Sequence, residues 1–400
     1  MARVEDMAGQ ATSDGGNPLV ERMRPFTSTI FSEMTALARA TGAVNLGQGF
    51  PDTDGPPSLL EGAVSAIRSG ANQYPPGRGV PALREAIAAH QKEWYGLDVD
   101  PDTEVLVTTG ATEAIATTVL ALCEPGDEVV VLEPYYDSYA ASIALAGAVR
   151  RTVPLAAPEF RLDRERLAAA FGSRTRMVLL NSPHNPTGRV LDADELAALA
   201  ALARQHDAIV VTDEVYEHLV FDGGRHIPIA TLPQMAERTI TISSAGKTFS
   251  VTGWKIGWLH GPAALVDAVV AVKQFVTFVS GAPFQPAVAA GLGAPAEEFA
   301  SRASDLARRR DLLAGGLADA GFGVVLPQGG YFVLADAAPL GYPDSLDLCR
   351  RLPELAGVVG VPVQAFCDDP APVASLMRFA FCKRDEVLRE AVTRLRSLRA

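Results

Sequence analysis

The stretch VLVTTGATEAIATTVLALCEPGDEVVVLEP, residues 105–134, decides the fold class. Its opening apolar, β-branched run predicts a strand over 105–109. An Ala/Leu-rich segment then predicts a helix over 111–123, stopped by Pro125 and Gly126. A second apolar run predicts a strand over 128–132. The same alternation continues outward: a helix over 139–146, strands over 177–180, 208–212 and 239–243, and a helix over 195–205 between two of them. Strands alternating with helices imply an α/β fold, a mostly parallel sheet with helices on both faces. Uniformly apolar runs such as AIVV at 208–211 fit strands buried on both sides.

The pattern changes after about residue 293. A long, charged, amphipathic helix is expected over 297–320. Short strands follow over 324–326 and 331–334 with Gly329 and Gly330 between them, then a strand over 376–381 and a final helix over 384–398. This is a smaller α+β region, and residues 20–53 are expected to pack with it. The expected division is a leader over 1–20, an N-terminal segment over 21–55, a large domain over 56–293 and a small domain over 294–400. The leader is polar and lacks a basic stretch followed by an apolar one, so it is read as disordered rather than as a signal peptide.

Composition narrows the function classes. A chain of 400 residues, 48% of them hydrophobic, can bury one large core and a second, smaller one. Lys+Arg 35 against Asp+Glu 47 gives a net charge of -12, which disfavours non-specific contact with nucleic acid or acidic membranes. No run of about 18 apolar residues predicts a membrane span. Cys123, Cys349, Cys367 and Cys382 show no CxxC spacing and no zinc-like Cys/His cluster, so reduced thiols in a cytoplasmic protein are expected, and no metal.

Open α/β sheets bind ligands beyond the carboxyl ends of their strands. Four groups of residues are expected there. Gly110, in TTGATE at 108–113, allows a tight turn, and the helix start after it favours an anion. NSPHNPTG at 181–188 forms a rigid loop that places Asn185 to donate into the cleft. Asp213 sits where a strand emerges, with Tyr216 one helical turn later; a carboxylate there needs a cation or donors. Lys247 lies among small residues after the strand TITIS at 239–243, with Lys255 as a second cation. Lysine is the side chain that forms Schiff bases, and partial desolvation lowers its pKa. Gly246-Lys247-Thr248 is no P-loop, because the spacing would need glycine where Thr241 stands. Taken singly, each group is also ordinary turn, cap or loop chemistry. Together, each after a strand, they supply a phosphate cradle, a carboxylate, hydrogen-bond donors and a nucleophilic lysine.

In that arrangement the chain resembles the class I/II aminotransferases of pyridoxal-phosphate fold type I. Within them it is most similar to the kynurenine/glutamine and bacterial N-succinyldiaminopimelate aminotransferases. The stretches that carry the resemblance are NLGQGFPD at 45–52, NQYPPGRG at 72–79, TTGATEAI at 108–115, EPYYDSY at 133–139, NSPHNPTG at 181–188, TDEVYEHL at 212–219, SSAGKTFSVTGWKIGW at 243–258 and MRFAFCKRD at 377–385.

The resemblance implies a seven-stranded, mostly parallel sheet in the large domain and pyridoxal 5'-phosphate as cofactor. It implies that Lys247 holds the cofactor as a Schiff base and moves the substrate proton, and that Asp213 pairs with the ring nitrogen. Asn185 and Tyr216 would bond the 3'-oxygen, and Tyr136 would stack on the ring. Gly110, Ala111, Thr112, Ser244 and Lys255 would hold the phosphate. Tyr74 would reach the phosphate of a neighbouring subunit, which implies a homodimer with shared sites. Arg378 would clamp the substrate α-carboxylate, with Gly47 and Asn185 beside it. Lys255 stands where many relatives have Arg, and Tyr136 where many have Phe. Phe26, Phe278 and Tyr331 are candidates for the pocket wall, with core aromatics as the alternative reading. The expected reaction is transfer of an amino group from an L-amino acid to a 2-oxo acid by a ping-pong route. A β-eliminating carbon–sulfur lyase, a decarboxylating enzyme or a non-enzymatic ligand-sensing domain remains open on the same residues.

Overall fold

A computed structural model describes residues 18–399; most of the expected leader lies outside the described residues. Seven strands build the main sheet: β1 Val105–Thr108, β2 Glu128–Glu133, β3 Val149–Pro154, β4 Thr175–Asn181, β5 Ile209–Asp213, β6 Thr239–Ser244 and β7 Gly257–His260. Their spatial order is β1-β7-β6-β5-β4-β2-β3. All pairings are parallel except those of β7, which runs antiparallel to both β1 and β6. Helices on both faces leave β1, β2, β5, β6 and β7 wholly buried, which explains the apolar runs VLV, VVVL and IVV of β1, β2 and β5.

Two of these strands were not singled out from sequence. β3, VRRTVP, is an edge strand with alternating exposure, and its Arg150 and Arg151 hide the strand pattern. β7 is only GWLH, short and opened by glycine. Elsewhere the expected elements match within about three residues at their ends. The helix expected over 111–123 is Gly110–Leu122, and the long one over 297–320 is Ala296–Asp319. The final helix ends earlier, at Leu395, and continues as a 3-10 turn.

The second sheet is antiparallel. β8 Gly323–Val325, β9 Phe332–Asp336, β10 Val361–Pro362 and β11 Leu376–Ala380 lie in the order β10-β11-β9-β8. Residues from the N-terminal segment complete this part of the molecule. Val44–Asn45 pairs in parallel with Val358–Val359. Met34 and Leu46 share one buried cluster with Leu317, Leu348 and Phe379. Among the described residues no helix is long and apolar enough to cross a membrane.

Register gathers polar residues at one edge of the large sheet. Asn181 lies opposite Asp213, and Gly257 lies opposite both Thr108 and Ser244. Gly257 also backs directly onto the Gly110 turn. A Cβ added at Gly257 would stand 2.6 Å from the Gly110 carbonyl carbon, so only glycine permits this approach. Gly257→Ala is expected to push the turn away and lower stability by about 1–3 kcal/mol, read from the urea midpoint of the purified protein.

Candidate active site

A cavity of about 280 Å³ opens at the carboxyl ends of β1, β4, β5 and β6. Phe31, Gln48, Gly49 and Phe50 of the N-terminal segment close one side, and Phe332 and Arg378 of the second sheet close another. The cavity therefore sits at the seam between two separately built sheets, where side chains from distant parts of the chain can converge.

β6 delivers the lysine. The strand ends at Ser244, whose hydroxyl accepts from the Gly246 N–H at 3.2 Å and caps the one-turn helix Ala245–Thr248. Lys247 projects from that turn. Its Nζ donates to the Gly49 carbonyl at 3.1 Å, and the Tyr331 hydroxyl donates to the Lys247 carbonyl at 2.7 Å. Burial pulls the amine below its usual pKa; Cys382 and Asp213 oppose this, and Arg378 and Lys255 add to it.

β5 delivers the carboxylate. Asp213 is buried, and its Oδ2 accepts from the Tyr139 hydroxyl at 2.6 Å. Its Oδ1 accepts from the Val215 N–H at 3.3 Å. Burial pushes the carboxyl up to about 6 despite the Tyr139 bond. Asn181, at the end of β4, ties two parts of the site together. Its amide donates to the Asp213 carbonyl at 2.7 Å, and its Oδ1 accepts from the Asn185 N–H at 2.6 Å. Asn185 Oδ1 in turn accepts from Arg378 Nη1 at 2.9 Å. Donation into the cavity therefore falls to the Asn185 amide nitrogen.

β1 leads into the anion cradle. Gly110 has φ +73° and opens the helix Gly110–Leu122. A Cβ there would meet Lys255 Nζ at 3.4 Å, so the second lysine lies beside the helix start. Ala111, Thr112 and Ser244 complete this corner. Free N–H groups, the helix dipole and an ammonium together suit a phosphate. Tyr136 lies in the cavity wall edge-on to Tyr139, their ring centroids 5.8 Å apart. Tyr216 lines the cavity and is buried with its ring against that of Tyr331, centroids 5.3 Å apart.

The cavity thus brings together Gly110, Ala111, Thr112, Tyr136, Asn185, Asp213, Tyr216, Ser244, Lys247, Lys255 and Arg378. Gly47 joins through its carbonyl, which accepts from Arg378 Nη2 at 3.0 Å. Tyr74 does not join: it is 82% exposed and packs its ring against Phe278, 5.5 Å away. The expected wall aromatics need correction. Phe26 packs on the core beside the sheet, and Phe278 lies on the surface with Tyr74. Tyr331 braces the Lys247 backbone instead of forming the wall. The phenylalanines that line the cavity are Phe31, Phe50 and Phe332, which the sequence did not mark because their approach is wholly tertiary. Tyr139 and Asn181 were also missed, although both sit inside quoted motifs; Tyr139 follows Tyr136 by one helical turn.

Behind β5 and β6 a buried polar network holds the 213–218 turn. Glu217 accepts from Ser243 at 2.6 Å and from Tyr95 at 2.8 Å. Glu214 meets His226 at 2.7 Å and Thr212 at 2.9 Å, and His90 meets His218 at 2.7 Å. Candidate metal-ligating atoms of His90, Glu217 and His218 lie within 4.8 Å of one another. The hydrogen bonds already engage these residues, so the cluster reads as a brace. Burial holds His90 down at about 4 and Glu217 up at about 7.

The donor set fits pyridoxal 5'-phosphate: a depressed amine for an aldehyde, a buried acid for a ring nitrogen, and an N–H-rich corner with a lysine for a phosphate. Comparison with known proteins agrees. Residues 41–395 match the family described as aminotransferase class I and II. A probable N-succinyldiaminopimelate aminotransferase of Mycobacterium tuberculosis is 56% identical over 387 residues, covering 94% of this chain and 97% of that one. A methionine aminotransferase of Escherichia coli is 40% identical over 384 residues, covering 96% and 99%. The solved structure of N-succinyldiaminopimelate aminotransferase from Mycobacterium tuberculosis superposes with a TM-score of 0.93 at 55% identity, over 95% of this chain and 100% of that one. The chain belongs to the class I and II aminotransferases of fold type I, and it is a pyridoxal-phosphate-dependent aminotransferase.

Proposed function

We propose that one cavity carries both half-reactions of a ping-pong transfer from an L-amino acid to a 2-oxo acid, with Lys247 as the catalytic residue. The observation behind this reading is the convergence of a partly buried amine, a buried carboxylate and a buried guanidinium, from Lys247, Asp213 and Arg378. Bound there, pyridoxal 5'-phosphate supplies an aldehyde for the amino group and an electron-withdrawing ring for the charge that develops at Cα.

The chain's own residues do the rest. Desolvation favours the neutral form of Lys247, which can act as a nucleophile and accept the Cα proton. Tyr331 anchors the lysine's backbone, so the movement of that proton is left to the flexible end of the side chain. Asp213 would pair with the ring nitrogen, and a cation there would favour its charged form over the neutral form that burial promotes. Asn185 and Tyr216 would hold the cofactor's 3'-oxygen, and Tyr136 would pack on its ring. Gly110, Ala111, Thr112, Ser244 and Lys255 would hold the phosphate. Arg378 takes the α-carboxylate with its planar fork, held in place by Gly47 and Asn185.

Three finer points extend the reading. Tyr74, Phe275, Val276 and Phe278 form an exposed apolar patch. A second copy of the chain covers it and receives Tyr74 at its phosphate corner, which makes a homodimer with shared sites. The domains divide as 21–55, 56–293 and 294–400, and the protein works in the cytoplasm, where four free cysteines are at home. The donor to test first is N-succinyldiaminopimelate with 2-oxoglutarate, on the strength of the 56% identical relative, and methionine second.

Lys247→Ala is expected to abolish transfer and any borohydride-reducible link between protein and cofactor; a link that persists in the variant sinks the assignment. Mixing Lys247→Ala with Tyr74→Ala subunits is expected to restore activity, because one site of each mixed dimer is then intact, whereas independent sites would stay dead. Asp213 also predicts a pH effect in the cofactor-free protein. Its folded pKa of about 6 exceeds the ordinary aspartate value of 3.8, so the folded state binds the extra proton and loses stability as pH rises through that window. The stability of Asp213→Asn relative to the wild type should therefore climb by about 1–3 kcal/mol between pH 4 and 6, measured by urea unfolding.

A further inference from the structure

The Arg378 guanidinium sits in a collar of three rings. Its central carbon lies 3.8 Å from the Phe332 centroid and 5.0 Å from those of Phe31 and Phe366. Phe31 and Phe366 also touch, with centroids 5.8 Å apart. The rings come from three places: the helix Ile30–Thr41, β9 and the turn Val363–Phe366. Gly49 makes room for the closest of them, because a Cβ there would stand 2.3 Å from Phe332 Cζ.

This collar encloses a cation of unusual standing. Arg378 is 1% exposed, yet both of its hydrogen-bond partners are neutral, the Asn185 amide oxygen and the Gly47 carbonyl. Its Nε is buried with no partner among the described residues. Asp137 feels the guanidinium electrostatically, but among the described residues no ion pair joins them. A buried charge without a counter-ion is costly. Aromatic faces carry negative charge density and can offset that cost without occupying a single N–H donor. A protein carboxylate in the same place would neutralise the charge and fill the fork.

We propose that Phe332, supported by Phe31 and Phe366, is a positioning residue for the substrate carboxylate. The rings keep Arg378 charged, flat and unpaired, so that its fork is reserved for an incoming monoanionic carboxylate. The proposal rests on the reading of Arg378 as the carboxylate clamp.

The test compares Phe332→Leu, Phe332→Tyr and Arg378→Lys in the holoenzyme. Leu keeps apolar bulk and removes the ring face. The expected result is a rise of about tenfold in KM for both the amino donor and the oxo acid, with kcat within about twofold. The dissociation constant of propionate, a carboxylate with no amino group, should rise in parallel by calorimetry, and Phe332→Tyr should restore both. If Arg378→Lys leaves KM and propionate binding unchanged, the clamp reading fails and the collar with it. If Arg378→Lys weakens both but Phe332→Leu only lowers the melting temperature, the ring is core filler and the collar is overturned. Should Phe332→Leu not fold, Phe31→Leu on the half-buried rim of the collar gives the same comparison.

Discussion

Three ionisable groups in one cavity, two buried and one partly buried, without direct ion-pair partners impose the constraint on which the rest of the site depends. Lys247, Asp213 and Arg378 would each be stabilised by water or by a counter-charge, and the fold gives them little of either. What it supplies instead is neutral polarity: a tyrosine hydroxyl for Asp213, carbonyl oxygens for Lys247 and Arg378, and ring faces around the guanidinium. Such partners orient a charge without cancelling it. The lysine is pulled down, the aspartate up and the arginine down to about 10, all mainly by burial. A site held in this condition is poised for a ligand that brings its own complementary charges.

Holding charges this way requires rigidity, and the structure provides it from behind. Glu217 bridges Tyr95 to Ser243, so one carboxylate links the helix Pro81–Tyr95 to β6 just before the lysine turn. Glu214 and His226 pin the start of the same turn that carries Tyr216. Asn181 fastens β4 to β5 at their ends and positions the loop bearing Asn185. The residues that do chemistry therefore stand on strand ends and short turns whose own hydrogen bonds are internally satisfied.

The position of the cavity also explains why two sheets are needed. The large sheet gathers the anion cradle, the carboxylate and the lysine along adjacent carboxyl ends. The carboxylate clamp comes from β11 of the second sheet, and the N-terminal segment, tied to β11 where the Ala380 N–H donates to the Leu46 carbonyl at 2.7 Å, brings Gly47 and Gly49 between them. A movement of the second sheet would carry Arg378 and its collar together relative to Lys247, since the rings that surround it lie on the same side of the seam.

Much of this was legible in the residues alone. Periodicity marked the parallel core strands because a strand buried on both faces must be apolar throughout. Glycine at 110, the aspartate at the end of β5 and the lysine among small residues at the end of β6 were visible because each breaks the apolar pattern where a strand stops. Other features were silent. β3 is an edge strand with one buried residue and β7 is four residues long and opened by glycine, so neither shows a period, and Phe31, Phe50 and Phe332 look like any core phenylalanine. Chain order determined which chemical groups would be present and at which strand ends. Only the tertiary structure decided which rings meet Arg378, which tyrosine holds Asp213 and which glycines permit close approach, because contacts between residues hundreds of positions apart depend on packing geometry that no local pattern encodes.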